Sequence, residues 1–242
     1  MPGGQFRPLH SCIAAAMTMA LSAADARAAR PMVVDDARIV DADSCQLETW
    51  RRFDRNNQEN WALPGCNLTG NLEMTLGSAS LPADDPALGS YSRTVQLQGK
   101  TLFRTLETNS HSYGLAVGGS VRPPSVADRV PNYYAYAPYT KSLLDDRMFV
   151  HANLGVQRMG LSPATGLYGG VGTEYAVTPR VYLMLETYGD NHSRNSYQGG
   201  VRVWIVPNRV QIDATIGTQG GNYGENRWMS IGLRLLTPPF LR

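Results

Sequence analysis

Residues 210–216 read Val210-Gln211-Ile212-Asp213-Ala214-Thr215-Ile216. Every second side chain is apolar, and Gln, Asp and Thr stand between. Successive side chains of a strand point to opposite faces, so this order makes one oily face and one polar face. The same period recurs along the chain. Downstream, Met229, Ile231, Leu233 and Leu235 alternate with Trp228, Ser230 and Arg234. Upstream, Val201, Val203 and Ile205 alternate with Gly200, Arg202 and Trp204, and Val181, Leu183 and Leu185 with Tyr182 and Glu186. Leu167, Val171 and Tyr175 alternate with Tyr168, Gly170 and Glu174. Val150, Ala152, Leu154 and Val156 alternate with His151, Asn153 and Gln157. Leu115, Val117 and Val121 alternate with Gly118, Ser120 and Arg122. Val95, Leu97 and Phe103 alternate with Gln96, Gln98, Lys100 and Arg104, and Leu72, Met74 and Leu76 with Glu73 and Thr75.

These nine runs have the length of tilted strands that cross a bilayer. A tenth, residues 133–140, alternates Tyr and Ala and leaves its faces undecided. Two weaker candidates lie at 46–52 and 57–63. The total predicts an all-β, antiparallel, up-and-down transmembrane β-barrel of about 12 strands. An even count returns both ends to one side, as in bacterial single-chain barrels. Tight links at Thr178-Pro179 and Pro207-Asn208 alternate with longer polar ones at 189–195 and 219–225. The stretches 78–90 and 122–132, each with Pro, fall on the long-link side. Short and long links that alternate are a barrel property.

Composition agrees with the pattern. The 242 residues are 43% hydrophobic but only 17% charged, against roughly 25% charged in an average soluble domain. The mean hydropathy is nevertheless −0.27, as expected when half of each strand faces a polar lumen. A net charge of +2 excludes a strongly basic nucleic-acid binder.

The first residues read as an export signal. Arg7 is the positive end, residues 12–24 are a short apolar run, and Ala26-Arg27-Ala28 is an A-x-A cleavage site. The organisation is then a signal peptide over 1–28 and a single barrel over 29–242. Export makes a disulfide the simplest reading of the two cysteines left, Cys45 and Cys66, in the N-terminal part 29–68.

The alternation fits a membrane barrel with polar side chains inward, or a soluble lipocalin-like barrel with the faces reversed. The polar set is rich in Gly, Tyr and Gln rather than the Lys and Glu of a solvated surface, which favours the membrane. The candidate lumen lining is Glu73, Lys100, Arg104, Arg122, His151, Asn153, Glu174, Glu186, Arg202, Asp213 and Arg234. Acids and bases interspersed there read as a salt-bridged interior or as a selectivity lining. No H-E-x-x-H and no G-x-S-x-G occurs, and no residue is assigned as catalytic or metal-binding. Gly169-Gly170-Val171-Gly172 is not followed by the Lys-Ser/Thr of a phosphate loop, and small residues on a curved strand explain it better.

Several strings carry a resemblance: VDADSCQLETWRR (40–52), WALPGCNLTGNLEMTLG (61–77), QGKTLFR (98–104), GLAVGGSVR (114–122), DDRMFVHANLGVQR (145–158) and the segment from Trp228. They resemble exported, uncharacterised outer-membrane β-barrel proteins of proteobacteria. The Val150–Gly155 strand is also similar to the H-x-N-L-G strand of outer-membrane transporters named for the meta pathway of phenol degradation. The resemblance implies passive transport or binding of small molecules, hydrophobic or aromatic ones included. The implied partners are outer-membrane lipid, lipopolysaccharide and the barrel-assembly machinery, without cofactor or nucleic acid. The alternatives are a plugged structural or surface-interaction barrel and a soluble periplasmic ligand-binding barrel.

Overall fold

The structure is a computed structural model that describes residues 32–55, 57–82, 91–121, 131–158, 165–221 and 226–240. The predicted signal peptide, 1–28, and Arg122 lie outside the described residues. Twelve strands follow one another: β1 Ser44–Asp54, β2 Gln58–Asn67, β3 Glu73–Pro82, β4 Tyr91–Arg104, β5 His111–Val121 and β6 Asn132–Leu143. Then come β7 Met148–Arg158, β8 Thr165–Thr178, β9 Val181–Asp190, β10 Ser196–Val206, β11 Val210–Gln219 and β12 Arg227–Leu236. Each strand pairs with its chain neighbours, and β1 pairs antiparallel with β12, so the sheet closes without an edge. Closure satisfies every ladder internally, which a bilayer demands. Ser44, Leu236 and the turns at 144–147, 179–180 and 207–209 share one rim, the turn rim.

The parity of residues 210–216 decides the wall. Ile212 and Ile216 are exposed at 38% and 70%, whereas Asp213 and Thr215 are buried at 0% and 3%. Leu97, Leu154 and Leu185 likewise face outward, and Gln96, His151 and Glu186 inward. The lipocalin-like alternative required the reverse. Exposed aromatics ring the apolar belt at both ends: Phe103, Tyr113, Tyr139 and Tyr175 near the turn rim, and Tyr91, Tyr133 and Tyr197 near the other. His111 stacks between Tyr113 and Tyr139, and Arg147 lies over Tyr175. Aromatic girdles flanking an apolar band are how a barrel meets the two membrane interfaces.

The undecided strand resolves with Tyr134, Tyr136 and Thr140 inward and Tyr133 and Tyr139 outward. The two weak candidates are β1 and β2. Their inner face is partly apolar: Trp61 and Leu63 pack with Ala79 and Leu81, and Trp50 stacks on Trp61 at 5.3 Å. That inverted patch blurs the alternation there. Cys45 and Cys66 face each other in the β1–β2 register and form a disulfide, with Cα atoms 4.0 Å apart. Thiol labelling of the unfolded protein is expected to modify neither before reduction and both after it. Equal labelling with and without reductant would refute the bond.

Candidate functional site

The lumen is built from the inward side chains and from a segment that precedes the barrel. Residues 32–43 form no strand. They leave β1 at the turn rim and run up inside the barrel, with Met32, Val34, Ala37 and Val40 at most 3% exposed. We call this segment the strap. At the rim, the amide of Asp43 donates to the carbonyl of Asn67, and the amide of Phe240 to that of Asp43. Positive φ at Asp43, 59°, turns the chain from strap into strand; Asp tolerates this left-handed region better than most residues.

Side chains of the wall, rather than a ladder, hold the strap. Glu186 accepts the amides of Val33 and Val34, each at 2.8 Å. Asn153 accepts the Asp35 amide at 2.7 Å and donates to its carbonyl at 2.8 Å. Thr140 accepts the Ala37 amide and Glu73 the Val40 amide, both at 2.8 Å. Buried carboxylates and amides need such partners, because an unmet polar group in a dry interior costs about 1–3 kcal/mol.

Charge ties the strap to both sides of the barrel. Lys100 on β4 bonds the Asp35 carboxylate at 3.0 Å and the Asp36 carbonyl at 3.2 Å. The Tyr136 hydroxyl donates to Asp35 at 2.7 Å. Across the lumen, Arg38 bonds Asp36 at 2.7 Å, approaches Glu174 on β8 at 3.8 Å and lies over Phe149. Glu174 also bonds Arg202 on β10, and Arg202 bonds Asp213 on β11 at 2.6 Å. A chain of alternating charges thus runs from β4 through the strap to β11. His151, fully buried, bonds Thr140 at 2.9 Å through Nδ1 and faces Glu174 at 3.5 Å through Nε2.

Packing closes the arrangement. A Cβ built on Gly170 would meet Val34 at 2.7 Å, and one on Gly172 would meet Met32 at 2.9 Å. The inward glycines of β8 therefore make room for the strap tip, a more specific reason than strand curvature. Beside the strap, the space lined by Gln46, Glu48, Thr75 and Arg234 amounts to about 20 Å³, room for roughly one water. Gly172→Leu is expected to expel the tip: hydrogen exchange at the Val33 and Val34 amides accelerates while the barrel strands stay protected. Unchanged protection of both amides would show that the glycine does not seat the strap.

The structure brings most of the predicted lining together. Glu73, Lys100, His151, Glu174, Glu186, Arg202 and Asp213 are buried inside the barrel, with Asn153 of β7 bonded to the strap and Arg234 beside Glu48 at 3.4 Å. Arg104 is a correction. Leu102 still follows the inward parity of Gln98 and Lys100, but the β4–β5 register shifts between Leu102 and Arg104, so Arg104 sits exposed at the rim beside Ser110 and His111. A bulge inverts parity, and nothing in the alternation announces it. Sequence reasoning missed the strap itself. Its signal was a short charged stretch, Asp35-Asp36-Ala37-Arg38, without alternation, directly before the first strand.

A closed antiparallel barrel with an apolar outer belt and a charged interior is the architecture of outer-membrane porins, and solved structures bear that out. The KdgM porin in complex with disordered oligogalacturonate aligns with a TM-score of 0.58 at 9% identity, covering 78% of this chain and 98% of that one. The COG4313 outer membrane channel from Pseudomonas putida F1 aligns with a TM-score of 0.61 at 12% identity, covering 84% and 98%. Outer membrane phospholipase A from Escherichia coli aligns with a TM-score of 0.50 at 10% identity, covering 81% and 93%. At these identities the likeness is one of fold. No curated protein matches the sequence. The chain belongs to the family described as uncharacterised conserved protein UCP029691, whose model matches residues 16–236.

Proposed function

We propose that the protein is an outer-membrane channel whose lumen is closed by its own N-terminal strap. The observation that carries this reading is the strap itself: it fills a polar, charged lumen through side-chain bonds and does not join the sheet. A segment outside the ladder leaves without breaking the barrel. Bacterial barrels turn their short links to the periplasm, so the strap enters from the periplasmic side. The outer belt faces outer-membrane lipid and lipopolysaccharide, and the barrel-assembly machinery inserts it.

The lining selects the solute. Gln96, Gln98, Gln198 and Gln211, with Tyr134 and Tyr136, give the inner wall its polar surface; they bond mostly to one another and to wall carboxylates, and Tyr136 reaches the strap at Asp35. These groups suit a small polar solute better than a hydrophobic or aromatic one. The likeness to phenol meta-pathway transporters rests on the Val150–Gly155 strand, and there His151 and Asn153 serve the strap. We assign no hydrolytic role: Thr140 bonds both His151 and the strap amide of Ala37, within the closed interior.

The test is fractionation followed by planar-bilayer recording. The protein is expected in the outer membrane with heat-modifiable gel mobility. It should conduct little with the strap in place and open when the strap is severed from the folded barrel. A severed barrel that stays silent would favour the plugged structural or surface-interaction reading.

A further inference from the structure

Beside the charged contacts of Asp35 and Arg38, the bonds that hold the strap go to its main chain. Glu186 takes two successive amides, those of Val33 and Val34. Asn153 accepts the amide and donates to the carbonyl of the same residue, Asp35, the two-bond exchange that a neighbouring strand offers. Thr140 takes the Ala37 amide, Glu73 the Val40 amide, and Asn67 donates to the Val40 carbonyl at 2.8 Å. These contacts carry no side-chain information. On the peptide side, the Asp35 carboxylate, held by Lys100 and Tyr136, and Arg38, near Glu174 and over Phe149, add side-chain contacts. Any buried main chain needs such partners; here wall side chains at successive backbone positions supply them, with no ladder, and that is the equipment of a peptide receptor.

We propose that the lumen is a binding site for extended peptides, and that residues 32–40 are its resident ligand. The site accepts a stretch of about nine residues through its backbone and asks for an acidic side chain opposite Lys100. The inference rests on reading the lumen as the functional site, and it names the solute class. A free peptide that makes the same main-chain bonds competes with the strap.

The experiment uses the full chain with a protease-recognition sequence inserted between Asp41 and Ala42, cleaved after the barrel has folded in detergent. The probe is a fluorescein-labelled synthetic peptide of residues 32–40, read by anisotropy, with uncleaved barrel as control. The cleaved barrel is expected either to retain its severed segment, which unlabelled peptide then chases out, or to rebind the probe. The control is expected to bind none. Peptide N-methylated at Val34 and Asp35 should bind about tenfold more weakly or worse, because each methyl removes a donor to a wall acceptor. Changing Asp35 to Lys in the peptide should weaken binding similarly, whereas altered side chains at Val33 and Ile39 should matter far less.

Equal affinity of the N-methylated and parent peptides would overturn the proposal. So would a severed segment that leaves and does not rebind at millimolar concentration. A cleaved barrel that conducts but ignores the peptide defeats this inference and leaves the channel standing; one that binds the peptide and never conducts does the opposite. Should the insertion prevent folding, Asn153→Leu in the unmodified chain serves instead. It is expected to lose exchange protection at the Asp35 amide with barrel strands unchanged, and retained protection there counts against the proposal.

Discussion

Arg202→Leu is expected to destabilise the barrel by about 3–5 kcal/mol, the usual cost of removing one partner from a buried ion pair. Arg202 bonds Glu174 and Asp213 at once, and all three side chains are at most 5% exposed. After the change, Glu174 keeps Arg38 at 3.8 Å and His151 at 3.5 Å. For Asp213 the Gln211 amide at 3.0 Å remains, and among the described residues no other cation bonds it. Asp213 is therefore the group left with an uncompensated charge, and Asp213→Asn in the Arg202→Leu background should recover part of the loss. The check is the midpoint of heat-induced mobility change for the three proteins. An unchanged midpoint in Arg202→Leu would mean that water already screens these charges.

Lys100→Met should act on the strap rather than the wall. The Lys100 ammonium holds Asp35 and the Asp36 carbonyl. Without it, Asp35 keeps the Tyr136 hydroxyl and the Asn153 amide contacts but loses its cation. A carboxylate in that position costs several kcal/mol, and the strap can relieve the cost by moving into water, which the β-ladders cannot. The expected result is open-channel activity in planar bilayers, accelerated exchange at strap amides, and a smaller fall in the melting midpoint than for Arg202→Leu. A silent Lys100→Met barrel with protected strap amides would show that main-chain bonds alone keep the lumen closed.

The wall was legible in the sequence because a strand exposes its parity directly. Asp213 and Glu186 declared an inner face as soon as Ile212 and Leu185 were read as outer. Legibility failed where one side chain did two jobs or none. Around Trp61 and Leu63 an apolar patch lies inside the barrel, so the alternation of β2 weakens. At Arg104 a bulge shifts the register by a residue, and the parity rule continues past it in error. The strap obeys no period at all, since the wall partners of residues 32–40 lie 27 to 153 residues away in the chain. The lumen lining could be named from sequence, but its occupant could not. Gly170 and Gly172 show the same limit: their smallness was visible, and what it makes room for was not.

The central claim is that the polar face of the alternating strands points into an occupied lumen and their apolar face into lipid. Single cysteines at Ile212, Asp213, Ala214, Thr215 and Ile216, in a background lacking Cys45 and Cys66, would each carry a small fluorophore in bilayers containing brominated lipid. The expected result is strong quenching at 212, 214 and 216 and weak quenching at 213 and 215. Uniform quenching, or quenching of the opposite parity, would contradict it.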